Sequence, residues 1–379
     1  MYKLKYSKYT NKLKQIGSAS YTPEEDRLLT LLERCAQNGF TYEIKPFLNL
    51  NKTFRNYVGI WYYPSIAQKS LEYAVRTNDI DRCRYLIQEC KTNPNFRGIH
   101  AIGYSEYTLL NYSIHHRKVV TKFLLDNGAD PNYLQPDGTS PLYFAIVSGQ
   151  IDIIQLLLDK GANKNYIHGG DGIYIDSGYS LLILALSKRF NNIAEVLIRN
   201  KVNINYLYNG ISALQYILER YYPDHFGTPV ETNNLIELLI INGANVNVRG
   251  DEGKTPLMDC SYQQDNSYIA TLLLDHGAEI EAVNDDLRTP LMVACEYGRP
   301  NMTRLLVSRG AQVNKIDRLG RTAMILAILD GYNTIEILQI LLDAGAEINI
   351  RDEDGRSALD YARDNNHEVE QFLISHGAN

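Results

Sequence analysis

The element Gly-Ala-Xaa-Xaa-Asn, or a near relative, recurs along this chain at an almost fixed interval, and no other feature constrains the fold as much. It reads GADPN from Gly128, GANKN from Gly161, GANVN from Gly243, GAEIE from Gly277, GAQVN from Gly310 and GAEIN from Gly345, with a final GAN ending at Asn379. Successive glycines lie 33, 82, 34, 33, 35 and 32 residues apart. The wide interval holds a degenerate copy, KVNIN from Lys201, which divides it into 40 and 42 residues, each one period plus an insertion. Such a period marks stacked units that cannot bury their apolar faces alone.

One unit, residues 136–165, shows the internal plan. Ser140-Pro141-Leu142 opens a short helix through Ala145 and Ile146 to Gly149, with proline in the first turn, where its missing N–H breaks no hydrogen bond. A second helix follows, in which Ile153, Ile154, Leu156, Leu157 and Leu158 are expected to face inward. Gly161 supplies the left-handed position that ends a helix, and Asn163-Lys164-Asn165 turns into a hairpin.

Thr255-Pro256-Leu257-Met258 and Thr289-Pro290-Leu291-Met292-Val293-Ala294 resemble the T-P-L-H-x-A signature of the ankyrin-repeat family, with Ser140-Pro141-Leu142 close behind. Weaker copies begin at Thr108, Ser180, Thr322 and Ser357, and Leu71 to Val75 followed by Asn93-Pro94-Asn95 looks like a divergent first repeat. The resemblance covers about nine units over residues 66–379. It implies an all-α repeat solenoid, an ankyrin-repeat stack of helix-turn-helix units joined by β-hairpin loops. One departure matters: the fourth signature position holds Glu72, Asn111, Tyr143, Ile183, Gln215, Met258, Met292, Ile325 and Asp360, never His. Packing is expected to replace part of the hydrogen bonding that the family draws from that His.

Ahead of the array, residues 1–65 are expected to form a helical N-terminal cap, with the lysine-rich residues 1–17 a frayed terminus. Thr22-Pro23-Glu24-Glu25 is a helix start with a capping box, and Leu28, Leu32, Cys35 and Ala36 give that helix an apolar stripe. Insertions fall near residues 168–177 and 220–233. The first contains Gly169-Gly170-Asp171-Gly172, but no Lys-Ser/Thr follows and no strand precedes it, which argues against a nucleotide site. The last unit is polar from Asp354 onward, as a capping repeat requires.

A net charge of −6 offers no general attraction for nucleic acid. No apolar run reaches 18 residues, so no membrane span is expected, and the N-terminus lacks the apolar core of a signal peptide. Cys35, Cys83, Cys90, Cys260 and Cys295 form no CxxC pair and read as reduced intracellular thiols. The adjacent His115 and His116 diverge on a helix and suit no single metal. Asp285-Asp286 and Asp352-Glu353-Asp354 read as solvated or partner-facing hairpin tips, and no Ser, Cys or Thr has a base at motif spacing. No catalytic, cofactor or metal residue is therefore assigned.

These readings point to a non-enzymatic, monomeric, intracellular protein, and the family resemblance implies a protein partner held along a concave surface. In the family's register Tyr179, Tyr208, Ile211, Lys254, Tyr262, Asp285, Asp286, Arg288 and Tyr297 face that groove, beside Asp176, Ser177, Asn209, Asp251, Glu252 and Glu296. Recurring tyrosine and arginine suit an interface because they bring contact area and a polar handle with little rotamer entropy. A viral or intracellular-bacterial effector acting in the host cytoplasm fits the atypical repeats. The alternatives are a small catalytic or targeting module in residues 1–65 and a purely structural spacer.

Overall fold

The computed structural model describes residues 63–379 apart from 90, 96, 101–105, 117, 136, 170–177, 220–228, 263–265 and 331–333. All but the end of the expected cap in residues 1–65, and most of both insertions, lie outside the described residues.

The described residues form nine helix pairs: α1 (Tyr63–Thr77) with α2 (Ile80–Arg84), α3 (Leu109–His116) with α4 (Lys118–Asp126), α5 (Pro141–Val147) with α6 (Ile151–Asp159), α7 (Leu181–Ser187) with α8 (Asn191–Arg199), α9 (Ala213–Glu219) with α10 (Pro229–Ile241), α11 (Pro256–Tyr262) with α12 (Ser267–Asp275), α13 (Pro290–Glu296) with α14 (Pro300–Ser308), α15 (Ala323–Asp330) with α16 (Thr334–Asp343), and α17 (Ala358–Asn365) with α18 (His367–Ser375). This is an all-α repeat solenoid with two additions. A π-helical turn, Tyr85–Glu89, extends α2. A short antiparallel pair, β1 (Arg97–His100) with β2 (Glu106–Thr108), leads into α3, so the first hairpin is longer than the sequence pattern suggests. The second insertion is shorter than expected, because α10 already begins at Pro229.

The chain divides into two compact units, residues 1–144 with 159–162, and residues 145–158 with 163–379. In the first, α1 packs on α3 and α2 on α4, around fully buried Leu71, Val75, Cys83, Leu109, Ile114 and Leu124. In the second, the first helices α7, α9, α11, α13, α15 and α17 pack in a row, and the second helices α8 to α18 form a parallel row. The inward stripe of α6 is narrower than its run of apolar residues: Ile153, Ile154 and Leu157 are buried, whereas Leu156 and Leu158 are only half-buried.

The conserved spacing follows from backbone geometry. Every glycine of the Gly-Ala element has φ between 83° and 94°, a left-handed conformation that side chains resist. Lys201 holds the same place at φ 57°, so the degenerate copy keeps the turn at the expense of strain.

The asparagine that closes each element links one repeat to the next. Asn247 Nδ2 donates to the Gly277 carbonyl at 2.9 Å, and its Oδ1 accepts the Glu279 N–H at 2.8 Å. Asn205, Asn314 and Asn349 make the same two bonds to their successors, and Asn132 bonds Gly161 at 3.0 Å. Glu281 replaces Asn in one repeat and accepts the Gln312 N–H at 2.7 Å, but a carboxylate has no donor to offer. Hydrogen bonding between repeats thus persists without the signature His. Gln215 in that position bonds Ser212 and reaches the Lys254 carbonyl of the following hairpin at 3.4 Å.

Candidate functional site

The hairpin tips of the second unit are built by side-chain acceptors, of which Asp317 and Asp352 are buried and Asn284 is half-buried. Asp317 Oδ1 takes the N–H groups of Leu319 and Arg321, Asp352 Oδ1 takes those of Asp354 and Arg356, and Asn284 Oδ1 takes those of Asp286 and Arg288. This corrects the reading of Asp352 as a solvated tip: it is buried and also accepts the Tyr361 hydroxyl at 2.6 Å. Burial raises the Asp317 pKa, but hydrogen bonds from Arg321 and from the Arg321 and Leu319 N–H groups outweigh it and leave the group below its ordinary value. Adjacent tips are tied through the backbone, Asp285 N–H to Glu252 carbonyl at 3.0 Å and Arg318 N–H to Asp286 carbonyl at 2.9 Å.

Upon this frame lie the tyrosines singled out from the sequence. Tyr179 and Tyr208 meet edge to face with ring centroids 4.4 Å apart, and Tyr262 and Tyr297 do so at the same separation. Tyr208 and Ile211 exchange both backbone hydrogen bonds at 3.0 Å around Asn209 and Gly210, whose φ values of 49° and 84° make the tight turn that Asn-Gly favours. Asp176 and Ser177 lie outside the described residues.

The second tyrosine pair lines a groove of about 430 Å³, within the size range of ligand sites. The end of α9 contributes Glu219; the next hairpin and α11 contribute Asp251, Glu252, Lys254, Met258, Asp259 and Tyr262; the following hairpin and α13 contribute Asn284, Asp286, Arg288, Val293, Glu296 and Tyr297. The groove therefore brings together Lys254, Tyr262, Asp286, Arg288 and Tyr297 of the expected set. Tyr179, Tyr208, Ile211 and Asp285 are not among its lining. Its apolar part is Met258 and Val293, packed with Ala282 and Tyr297. Its own cations are engaged: Lys254 Nζ lies 2.7 Å from Glu252, and Arg288 lies 2.7 Å from Glu296 and 3.4 Å from Asp317. The Lys254 pKa is raised, chiefly by that Glu252 bond.

Asp259 was not anticipated. It is only 8% exposed, and among the described residues its Oδ2 has no hydrogen-bond partner. Burial, assisted by the nearby Glu219 charge and opposed by Lys254, pushes its pKa up to about 7. The sequence did hold a signal. In the same column of the signature the other repeats place Tyr73, Tyr112, Phe144, Leu184, Tyr216, Val293, Leu326 and Tyr361, so Asp259 is the single charge in an apolar column.

A larger cavity, about 670 Å³, lies between the second helices α8 and α10 and is lined mainly by polar residues such as Arg189, Glu195 and Asn234. It has no aromatic residue among its described lining, which makes it the weaker candidate.

No described group of three or more His, Cys, Asp and Glu could hold a metal ion. His276 and His376 instead direct Nδ1 at the carbonyls four residues back, Leu272 and Phe372, in the last turn of their helices. Cys83, Cys260 and Cys295 are buried and free. Burial pushes the thiols of Cys83 and Cys295 up to about 12 and that of Cys260 well above its ordinary value, so these groups pack rather than react. No described helix is long and apolar enough to cross a membrane.

Comparison with known proteins agrees with the repeat plan. The family description of ankyrin repeats matches residues 71–168, 230–317 and 310–379. Residues 1–70 and 169–229 are left unmatched; the second stretch contains most of both insertions and the degenerate Lys201 copy, yet includes α7, α8 and α9. An ankyrin repeat protein of Acanthamoeba polyphaga mimivirus is 34% identical over 101 residues, which are 26% of this chain and only 12% of that protein.

Proposed function

Because the chain belongs to the ankyrin-repeat family, whose members are in general protein–protein interaction modules without catalytic activity, we propose that it is a non-enzymatic scaffold. It holds a protein partner against the hairpin tips and first-helix ends of its central repeats. The observation that carries this reading is the groove at Tyr262 and Tyr297, where an aromatic pair, an apolar patch and charges of both signs share one concavity. Interface hot spots have that composition. Tyr179, Tyr208, Ile211 and Asp285 belong to the same contact face in this reading, beyond the groove itself. In this reading the array runs over 66–379, and the protein works as an intracellular monomer. The similarity to a mimivirus protein supports an effector acting in the cytoplasm of an infected host.

The test begins with a partner isolated on the full chain and purified. Tyr262→Ala with Tyr297→Ala should weaken its binding at least thirtyfold, equivalent to about 2 kcal/mol or more, while the circular dichroism spectrum is retained. Undiminished affinity with the fold intact would remove the interface from this face.

A further inference from the structure

We infer that the groove accepts the cationic head of an arginine or lysine side chain from the partner protein, with Asp259 as its counter-ion and the Tyr262–Tyr297 pair as its wall. This rests on the interaction-surface reading and names the chemistry of the partner at that surface.

An apolar column that changes to a carboxylate in one repeat alone demands a physical reason. A buried ionised group without a hydrogen bond is unfavourable in the free protein; among the described residues Asp259 Oδ2 has no hydrogen-bond partner, more than nine-tenths of the residue is buried, and the one charge that favours its ionisation is the nearby Lys254. Lys254, on the rim, is exposed and held by Glu252 at 2.7 Å. A donor brought by another molecule supplies the missing partner.

The charge of the surroundings fixes the sign of that donor. Six carboxylates line the groove, Glu219, Asp251, Glu252, Asp259, Asp286 and Glu296, against two cations. Both cations already have carboxylate partners, so the remaining field is negative and repels an anionic ligand. The aromatic wall favours an organic cation, since ring faces attract ammonium and guanidinium groups. A side chain with a long apolar stem suits the rest of the lining: Met258 and Val293 can cover the stem while the head reaches Asp259.

The experiment uses the full chain and four pools of fluorescent seven-residue peptides, with Arg, Lys, Gln or Glu at the centre and mixed neutral residues elsewhere. At pH 8 and moderate salt, the Arg and Lys pools should bind at least tenfold more tightly than the Gln pool, and the Glu pool most weakly. Asp259→Asn and Asp259→Leu should each erase that preference. The leucine variant restores the residue type of Leu184 and Leu326, so a folding defect in one variant does not decide the matter. Equal binding of all pools by the parent chain, or a preference that survives both substitutions, would overturn the inference. If the parent binds no pool while Tyr262→Ala still weakens the isolated partner, the inference fails and the interface reading stands; if Tyr262→Ala is also without effect, both fail.

Discussion

Asp259 ties the stability of the protein to pH in a direction that can be worked out. Its carboxyl ionises near pH 7 in the fold, against an ordinary value of 3.8, with burial the largest cause. The folded state therefore holds this proton more tightly than the unfolded chain, and protonation favours folding. Below about pH 4 both states carry the proton and burial has no ionisation penalty. Between about 4 and 7 the unfolded chain ionises first and stability falls, and above about 7 the loss is complete. Replacing the acid by Asn removes this dependence without changing the groups around it, Glu219 and Lys254. The difference in unfolding free energy between Asp259→Asn and the parent should shift in favour of the variant by on the order of 3–4 kcal/mol between pH 4 and pH 8. Urea denaturation of both proteins at the two pH values measures it, and a difference that does not move with pH would show that Asp259 is not strained by burial. The same residue shows where column-by-column reading exceeds motif reading. Asp in a TPLMDC run looks like one more polar letter, whereas a charge under Tyr, Phe, Leu and Val of the other repeats is an anomaly.

Helices and hairpins were legible because their ends have strict backbone demands. A positive φ calls for glycine, a first turn tolerates proline, and a cap needs a side-chain oxygen; Thr289 and Ser357 both accept the N–H three residues on. What composition concealed was the second role of the closing asparagine. Read as a turn residue, Asn247 also grips the next repeat with both ends of its amide. The loss of the signature His pointed to packing as the substitute, yet the repeats are also joined by this row of amides. Asn247→Ala breaks one bond to Gly277 and one to Glu279, and should destabilise the protein by about 1–2 kcal/mol. Asn247→Asp keeps the acceptor for Glu279 and loses the donor to Gly277, so it should lie between alanine and the parent. Thermal and urea unfolding rank the three, and an alanine variant as stable as the parent would leave the tie between repeats to packing alone. The hairpin acids misled for a related reason: in a sequence, Asp352 cannot be told from a surface acid, because two of its partners are backbone N–H groups, which leave no mark on composition, and the third is the Tyr361 hydroxyl nine residues on.

Repetition itself makes the most demanding prediction. In the second unit each first helix packs on its neighbouring first helices and each second helix on second helices, so no residue depends on a core shared by all. Removing one full period should then leave two compatible faces to meet. The structure sets where to cut. Gly243 and Gly277 lie 34 residues apart, and deletion of residues 250–283 joins Arg249 to Asn284 in register. Asn284 is retained to build the hairpin through Asp286 and Arg288. In the shortened chain α9 meets α13 and α10 meets α14, while Asn247 reaches Gly310 and Gln312 in place of Gly277 and Glu279. A 33-residue cut, Asp251–Val283, would keep both Gly250 and Asn284 and place one residue too many in that hairpin. The 34-residue deletion should retain the helical circular dichroism signal per residue and unfold cooperatively, and the 33-residue deletion should be the less stable of the two. Loss of the helical signal in both would mean that distant repeats depend on one another, as in a globular core. The same deletion removes Asp259 and Tyr262 with their groove, so a folded product should also lose the preference for Arg- and Lys-centred peptides, which separates what the repeats do for stability from what one repeat does for binding.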